Sequence, residues 1–365
     1  MIVTEARVYT YSLPLLRPLE IRGGTHTKRD GCMLRLSYDT NSGWGEAAPL
    51  PGFSPETLDQ ARNQLVDVCT RIAGEVIPED TASLNGVFEQ WLGNWQLYPS
   101  VRHAVETAVL ALQANSAGVS MARLLHHEPQ TTFRINGFIA GSSSEVTEQA
   151  RTLQRDGYRA VKLKVGRGNI AEDIERTRNV SRELDSRCHL RLDANRVWSL
   201  EQALEFFAGI RDCAIEYIED PVQDIDGLRR LLAQPCPAVA IDEFLTEMEP
   251  ADLASIPGLA AIILKPTLLG GAERCVAFAR AAKPLRIKPV FSSSFESPLG
   301  IAAMGPLVAV YGSPGVPVGL DTYGWFGVDL LKTPLEASGG VMRVEQLARA
   351  AQSLDLAHLT EVHRV

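Results

Sequence analysis

From about residue 133 to 320, short apolar runs ending on a polar or glycine residue alternate with longer stretches of helical periodicity. Phe133–Asn136 leads to Gly137, and Tyr158–Leu163 ends at Lys164. His189–Leu192 ends at Asp193, Ala214–Ile218 at Glu219, Ala238–Ile241 at Asp242 and Ala261–Leu264 at Lys265. Lys288–Phe291 runs into Ser292, and Gly315–Val318 into Gly319. The eight ends lie 23 to 29 residues apart, with room for a helix after each. Such alternation implies parallel strands joined by right-handed crossovers. Eight repeats predict a closed (β/α)8 TIM-type barrel over residues 126–328. An open doubly wound sheet is the competing layout, but its Gly-rich dinucleotide turn is missing. Gly270-Gly271 has neither a third glycine nor a following Lys-Ser/Thr, and is read as a helix start.

The first 125 residues follow a different rhythm. Residues 2–12 alternate like an edge strand, and Arg17–Thr25 breaks the pattern with Gly23-Gly24 and basic residues, predicting a mobile loop suited to a lid. Gly31–Tyr38, the turn Asp39–Gly43 and Trp44–Ala48 predict a hairpin. Ser54-Pro55 reads as a helix N-cap with proline at the first helical position. Helical periodicity then runs to about 74, returns near 81–92 and peaks over Ser100–Ala117. An α+β capping domain over 1–125 is expected, with the tail 329–365, including a helix near Glu345–Leu354, packing back on it.

Composition narrows the functional classes. Forty-five per cent hydrophobic and 22% charged residues over 365 positions are ordinary globular values. A net charge of −8 without a basic tract argues against nucleic acid or an anionic membrane surface. Six scattered cysteines without a C-x-x-C pair indicate reduced thiols. The N-terminus lacks a signal-peptide core and no run approaches 18 apolar residues, so a cytoplasmic protein without membrane insertion is expected.

The candidate chemistry lies at the strand ends, which form one mouth in a barrel. Strand alternation puts Lys162 and Lys164 on one face, where each ammonium disfavours the other and at least one pKa should fall. A lysine so tuned serves as a base; the plainer reading is an edge strand guarded by lysines. Asp193, Glu219 and Asp242 end strands three, four and five. Three converging carboxylates repel unless a cation sits among them, and hard oxygen donors without His or Cys point to Mg²⁺, with Mn²⁺ as a substitute. The alternative is that each carboxylate caps the following helix. Glu216 and Asp220 flank the set, Asp220 reading as a turn residue before Pro221. Lys164 and Lys265 end strands two and six, across the mouth from each other. That arrangement suits removal of a proton next to a carboxylate. No G-x-S-x-G or H-E-x-x-H occurs, and none of the seven histidines falls at a strand end.

These motifs carry a resemblance. Lys162-x-Lys164, Asp193-Ala-Asn195, Glu219-Asp-Pro221, Ile241-Asp-Glu243 and Leu264-Lys-Pro266 resemble, in order and spacing, the enolase superfamily, muconate-lactonising branch. The lysine–magnesium pairing of such sites is a known case of pKa tuning. Ser292–Gly300 and Gly319–Thr322 resemble the o-succinylbenzoate synthase family within that branch. The resemblance implies Mg²⁺ on Asp193, Glu219 and Asp242, with Lys164 and Lys265 as catalytic residues. It implies substrate or supporting roles for Lys162, Arg191, Asn195, Glu243, Ser292, Ser293, Ser294 and Gly319. Arg191 is read either as an indirect contact to a bound carboxylate or as part of a barrel-interior ion pair. Asn195 is read as orienting a ligand or the substrate, Glu243 as supporting the lysines or capping a helix. Ser292–Ser294 are read as holding a substrate carboxylate or capping the next helix. The Gly23-Gly24 loop fits no single subfamily. The implied activity is syn-dehydration of a small-molecule carboxylate, 2-succinyl-6-hydroxy-2,4-cyclohexadiene-1-carboxylate, to o-succinylbenzoate. Alternatives are racemisation of N-acylamino acids or epimerisation of dipeptides by the same lysines, and a non-catalytic carboxylate-binding barrel.

Overall fold

The structure, a computed structural model, describes residues 1–22 and 24–365; Gly23 of the Gly23-Gly24 pair lies outside the described residues. The chain opens with three antiparallel strands, β1 (Glu5–Ile21), β2 (Gly24–Tyr38) and β3 (Asn41–Ala47), and a fourth strand, Thr360–Arg364, pairs on the other side of β1. The helix Pro99–Ser116 lies directly on β3 because Gly43 and Gly45 have no side chain. A Cβ at Gly43 would stand 2.1 Å from the Ala108 carbonyl, and one at Gly45 1.9 Å from that of Ala104. The helix Leu58–Ile72 starts three residues later than Ser54 suggests. Thr57 and Gln60 form the capping box, while the Ser54 hydroxyl accepts the Leu50 N–H instead.

β1 and β2 continue past the cap as a hairpin arm. Arg17–Thr25, expected as a loop, is largely strand, with a register break between Pro14 and Leu19. The reason is non-local: Leu19 is buried against Phe295 and Trp325, and the Arg17 guanidinium stacks 3.7 Å above the Trp325 ring.

β4 (Thr132–Arg134) pairs antiparallel with Val341–Arg343. It takes up most of the run expected as the first barrel strand, so that strand, β5 (Gly137–Ile139), falls a few residues later. β6 (Ala160–Lys164), β7 (His189–Asp193), β8 (Ile215–Glu219), β9 (Val239–Ile241), β10 (Leu259–Leu264) and β11 (Lys288–Phe291) follow in one parallel sheet in sequence order. The eighth position is not a regular strand. Single bridges from Ile135 to Val318 and from Ser292 to Gly319 close the ring. Pro317 removes one of the N–H donors that a ladder over Gly315–Val318 would use. The result is a (β/α)8 barrel with a capping sheet beside its mouth. Among the described residues, no helix is long and apolar enough to cross a membrane.

Candidate active site

Parallel register sets Lys164, Asp193 and Glu219 side by side at the tops of β6, β7 and β8, and Asp242 and Lys265 directly follow β9 and β10. One carboxylate oxygen from each of Asp193, Glu219 and Asp242 lies within 4.8 Å of the others, and all three residues are buried. They do not cap the succeeding helices: Ser199 and Asp224 do that for Leu200–Gly209 and Ile225–Leu232, and the Asp242 side chain makes no capping bond to the short 3₁₀ helix Glu243–Glu247 that it precedes. Nor is the lysine pair an edge guard, since β6 lies inside the sheet and Lys162 is 8% exposed.

Lys162 Nζ donates to Glu219 and lies 3.0 Å from Asp193. Lys164 Nζ donates to Asn195 Oδ1 at 2.6 Å and stands 3.4 Å from Asp193. Lys265 Nζ donates to Asp242. Burial penalises every charge here, and neighbours decide the outcome. It lowers the Lys164 pKa, with the Lys162 and Lys265 ammoniums adding to the effect and Asp193 opposing it. One lysine of the pair is thus depressed, although burial is a larger cause than the like charge. Lys162 is raised instead, its desolvation outweighed by Asp193, Glu219 and Asp242; Asp242 does the same for Lys265. Burial also raises carboxylates, yet the three lysines hold Asp193 below the usual range. Glu219 is pushed up to about 7, because burial and the Asp193 and Asp242 charges outweigh Lys162.

The remaining expected residues separate into groups. Arg191 is fully buried one layer below the mouth, donating to Glu216 at 2.7 Å, Asn136 Oδ1 at 3.1 Å and the Pro317 carbonyl at 2.6 Å; it makes the barrel-interior ion pair. Asn195, at φ 47°, accepts from Lys164 and donates through Nδ2 to Glu243 at 3.1 Å. Glu243 therefore reaches the lysines through Asn195. Its other oxygen pairs at 3.0 Å with Arg22 at the arm tip, which also donates to the Asn195 carbonyl at 2.8 Å. The Ser292 N–H donates to the Leu264 carbonyl, beside Lys265, and its hydroxyl donates to the Gly319 carbonyl at 3.3 Å. Gly319 has to be small, as a Cβ would come 2.3 Å from Ser292 Oγ. Ser293 and Thr322 hydroxyls bond at 2.6 Å, while the Ser294 hydroxyl is buried without a partner among the described residues. The helix after β11 is capped by Ser297.

Three contributors escape the sequence reading. Asp220, read only as a turn residue, is wholly buried and accepts two backbone N–H groups through its carboxylate. Arg29, from β2, donates to the Ser294 and Phe295 carbonyls and to those of Ala48 and Pro49, tying the cap to the serine segment. Glu46 accepts both the N–H and the hydroxyl of Ser297. Arg29 and Glu46 bind groups hundreds of positions away, and nothing in local pattern marks them.

This fold and strand-end constellation define a barrel enzyme of the enolase type. Residues 145–349 match the family described as "Enolase C-terminal domain-like", and residues 3–112 match "MenC, N-terminal domain". An o-succinylbenzoate synthase of Haemophilus influenzae is 32% identical over 86% of this chain and 88% of its own. A muconate-lactonising enzyme from Pseudomonas fluorescens superposes with TM-score 0.84 at 20% identity, covering 96% of this chain and 99% of that one. A dipeptide epimerase from Enterococcus faecalis, solved with Mg and a dipeptide, gives 0.83 at 19% identity over 94% and 97%. The chain belongs to the enolase superfamily and, within it, to the o-succinylbenzoate synthase family of lyases.

Proposed function

We propose that the protein dehydrates 2-succinyl-6-hydroxy-2,4-cyclohexadiene-1-carboxylate to o-succinylbenzoate with Mg²⁺ as cofactor and Mn²⁺ as a substitute. The observation that carries this reading is the pair of lysines in unlike surroundings on opposite strands of the mouth, with three carboxylates between them. Lys164 is depressed and bonded to an amide oxygen, the setting of a base; Lys265 is held charged by Asp242.

The donor set suits a hard divalent cation: three buried carboxylate oxygens within 4.8 Å, on adjacent strand ends, with no sulfur or imidazole among them. Glu219 is raised to about 7 chiefly by its burial, with the Asp193 and Asp242 charges adding to it. Asp193, Glu219 and Asp242 would hold the ion, which supplies positive charge where the substrate carboxylate gains electron density. Lys164, as the neutral amine, takes the proton from the ring carbon bearing the carboxylate. Its ammonium returns that proton to the hydroxyl on the adjacent carbon. The C–O bond breaks, water leaves and the ring becomes aromatic. One lysine serves both transfers, so both events occur on one face. Lys265 remains an ammonium on the other face and offsets charge developing on the carboxylate. The hydroxyls of Ser292–Ser294 take the carboxylate oxygens; Gly319, whose N–H is already bonded to the Phe291 carbonyl, supports them by leaving room beside Ser292, and the arm with Arg22 covers the mouth.

The racemase or epimerase alternative uses the same lysines, but likeness at 19% identity supports the fold alone. The test is proton exchange in deuterated solvent. Lys164→Ala should abolish exchange at the carbon next to the carboxylate together with turnover. Exchange that survives in Lys164→Ala would remove Lys164 as the base.

A further inference from the structure

Asp220 follows Glu219 directly, at φ 41° and without solvent exposure. Its backbone continues the sheet: the N–H donates to the Ala240 carbonyl at 3.0 Å, and the carbonyl accepts the Arg196 N–H at 2.8 Å. Its side chain supplies what the sheet cannot. One carboxylate oxygen accepts the Asp242 N–H at 3.0 Å and the other accepts the Glu243 N–H at 2.7 Å. Elsewhere around the mouth the comparable groups bond backbone to backbone, Val165 to Asp193 and Ala194 to Glu219. At Asp242 the chain turns, with φ −123° and ψ −83°, into the short 3₁₀ helix Glu243–Glu247, and these two N–H groups leave the ladder. Buried donors left unpaired are costly, so an acceptor must come from a side chain.

We propose that Asp220 is a positioning residue of the metal site. By holding the Asp242 and Glu243 amides it fixes the Asp242 carboxylate relative to Glu219 and Asp193, so that the three oxygens converge. The proposal rests on the three-carboxylate Mg²⁺ site proposed above. A turn residue at φ 41° could be Asn or Gly. Here each carboxylate oxygen takes one amide, and asparagine has only one oxygen to offer. Both oxygens face these amides and Asp220 is not among the three carboxylates that converge within 4.8 Å, so it sets the position of a ligand without being one.

The substitution Asp220→Asn separates these roles, because asparagine keeps the backbone conformation but turns an NH₂ group toward one of the amides. A matched control is Glu273→Gln. Glu273 is also buried and accepts backbone N–H groups, from Gly86, Phe88 and Glu89, but lies at the start of the helix Ala272–Ala282. Mg²⁺ alone is titrated calorimetrically into metal-free wild type and both variants, and melting is followed in parallel. Asp220→Asn should bind Mg²⁺ about 10- to 100-fold more weakly. Glu273→Gln should bind it like wild type even if it melts earlier. Wild-type affinity in Asp220→Asn, or equal weakening in both variants, overturns the proposal. A wild type that binds no Mg²⁺ overturns the metal reading itself, and the proposal with it. If Asp220→Asn does not fold, amide exchange in the wild type decides. Asp242 and Glu243 amides as protected as those of β8 support the clamp, and rapid exchange at both overturns it.

Discussion

Asn195→Ala removes the amide between Lys164 and Glu243 while leaving every charge in the mouth. In the wild type its Oδ1 accepts from Lys164 Nζ at 2.6 Å and its Nδ2 donates to Glu243 at 3.1 Å. If Lys164 is the base, it enters the reaction as an amine and becomes an ammonium in the proton-transfer transition state. A hydrogen bond from a neutral donor contributes roughly 0.5–1.5 kcal/mol and one from a charged group roughly 1.5–3. Asn195 therefore stabilises the transition state over the bound substrate by about 1–1.5 kcal/mol. Its loss should lower kcat about 5- to 12-fold with KM nearly unchanged. Because Asn195 sits at φ 47°, alanine also costs about 1 kcal/mol of folding stability, read from urea unfolding. Steady-state kinetics with saturating Mg²⁺ separates the two effects. An unchanged kcat would refute the assignment of this bond to Lys164. A change confined to KM would place Asn195 on the substrate instead.

Other expectations follow from the same charges. Lys162→Ala should shift the limb of the pH–rate profile that rises with pH to higher pH. That limb reports deprotonation of Lys164, and removing the Lys162 ammonium takes away one of the charges holding its pKa down, while burial stays. An acid-shifted limb would contradict this. Lys265→Arg keeps a charge on that face and should retain partial dehydration, whereas Lys164→Arg should retain none, since arginine is not deprotonated. Measurable turnover in Lys164→Arg would count against a single base. Asp242→Asn should weaken Mg²⁺ binding in calorimetry while circular dichroism shows the barrel folded; undiminished affinity would remove Asp242 from the ligand set.

The barrel is readable in the chain because strand ends recur at 23 to 29 residues, and a polar residue at the end of a parallel strand has only the mouth to face. Lys164, Asp193 and Glu219 come together for that reason, by register, and Asp242 and Lys265 directly follow the next two strands. What escapes depends on partners remote in sequence. The run Phe133–Asn136 is apolar enough for a barrel strand, yet Phe133 pairs with Met342 in a separate ribbon. Arg17–Thr25 looks like a loop until Phe295 and Trp325 provide a cleft for Leu19. Asp220 looks like a turn residue because its partners are amides on the next strand end, which no side-chain pattern encodes.

The most direct test of the central claim is turnover of the cyclohexadiene acid by the purified protein, followed by the ultraviolet change as the ring becomes aromatic. Substrate is added to the metal-free protein, to the same sample after Mg²⁺, and to Lys164→Ala with Mg²⁺. The account predicts o-succinylbenzoate formation in the second sample only. Wild type with Mg²⁺ that leaves this acid untouched while racemising N-succinylamino acids would contradict it.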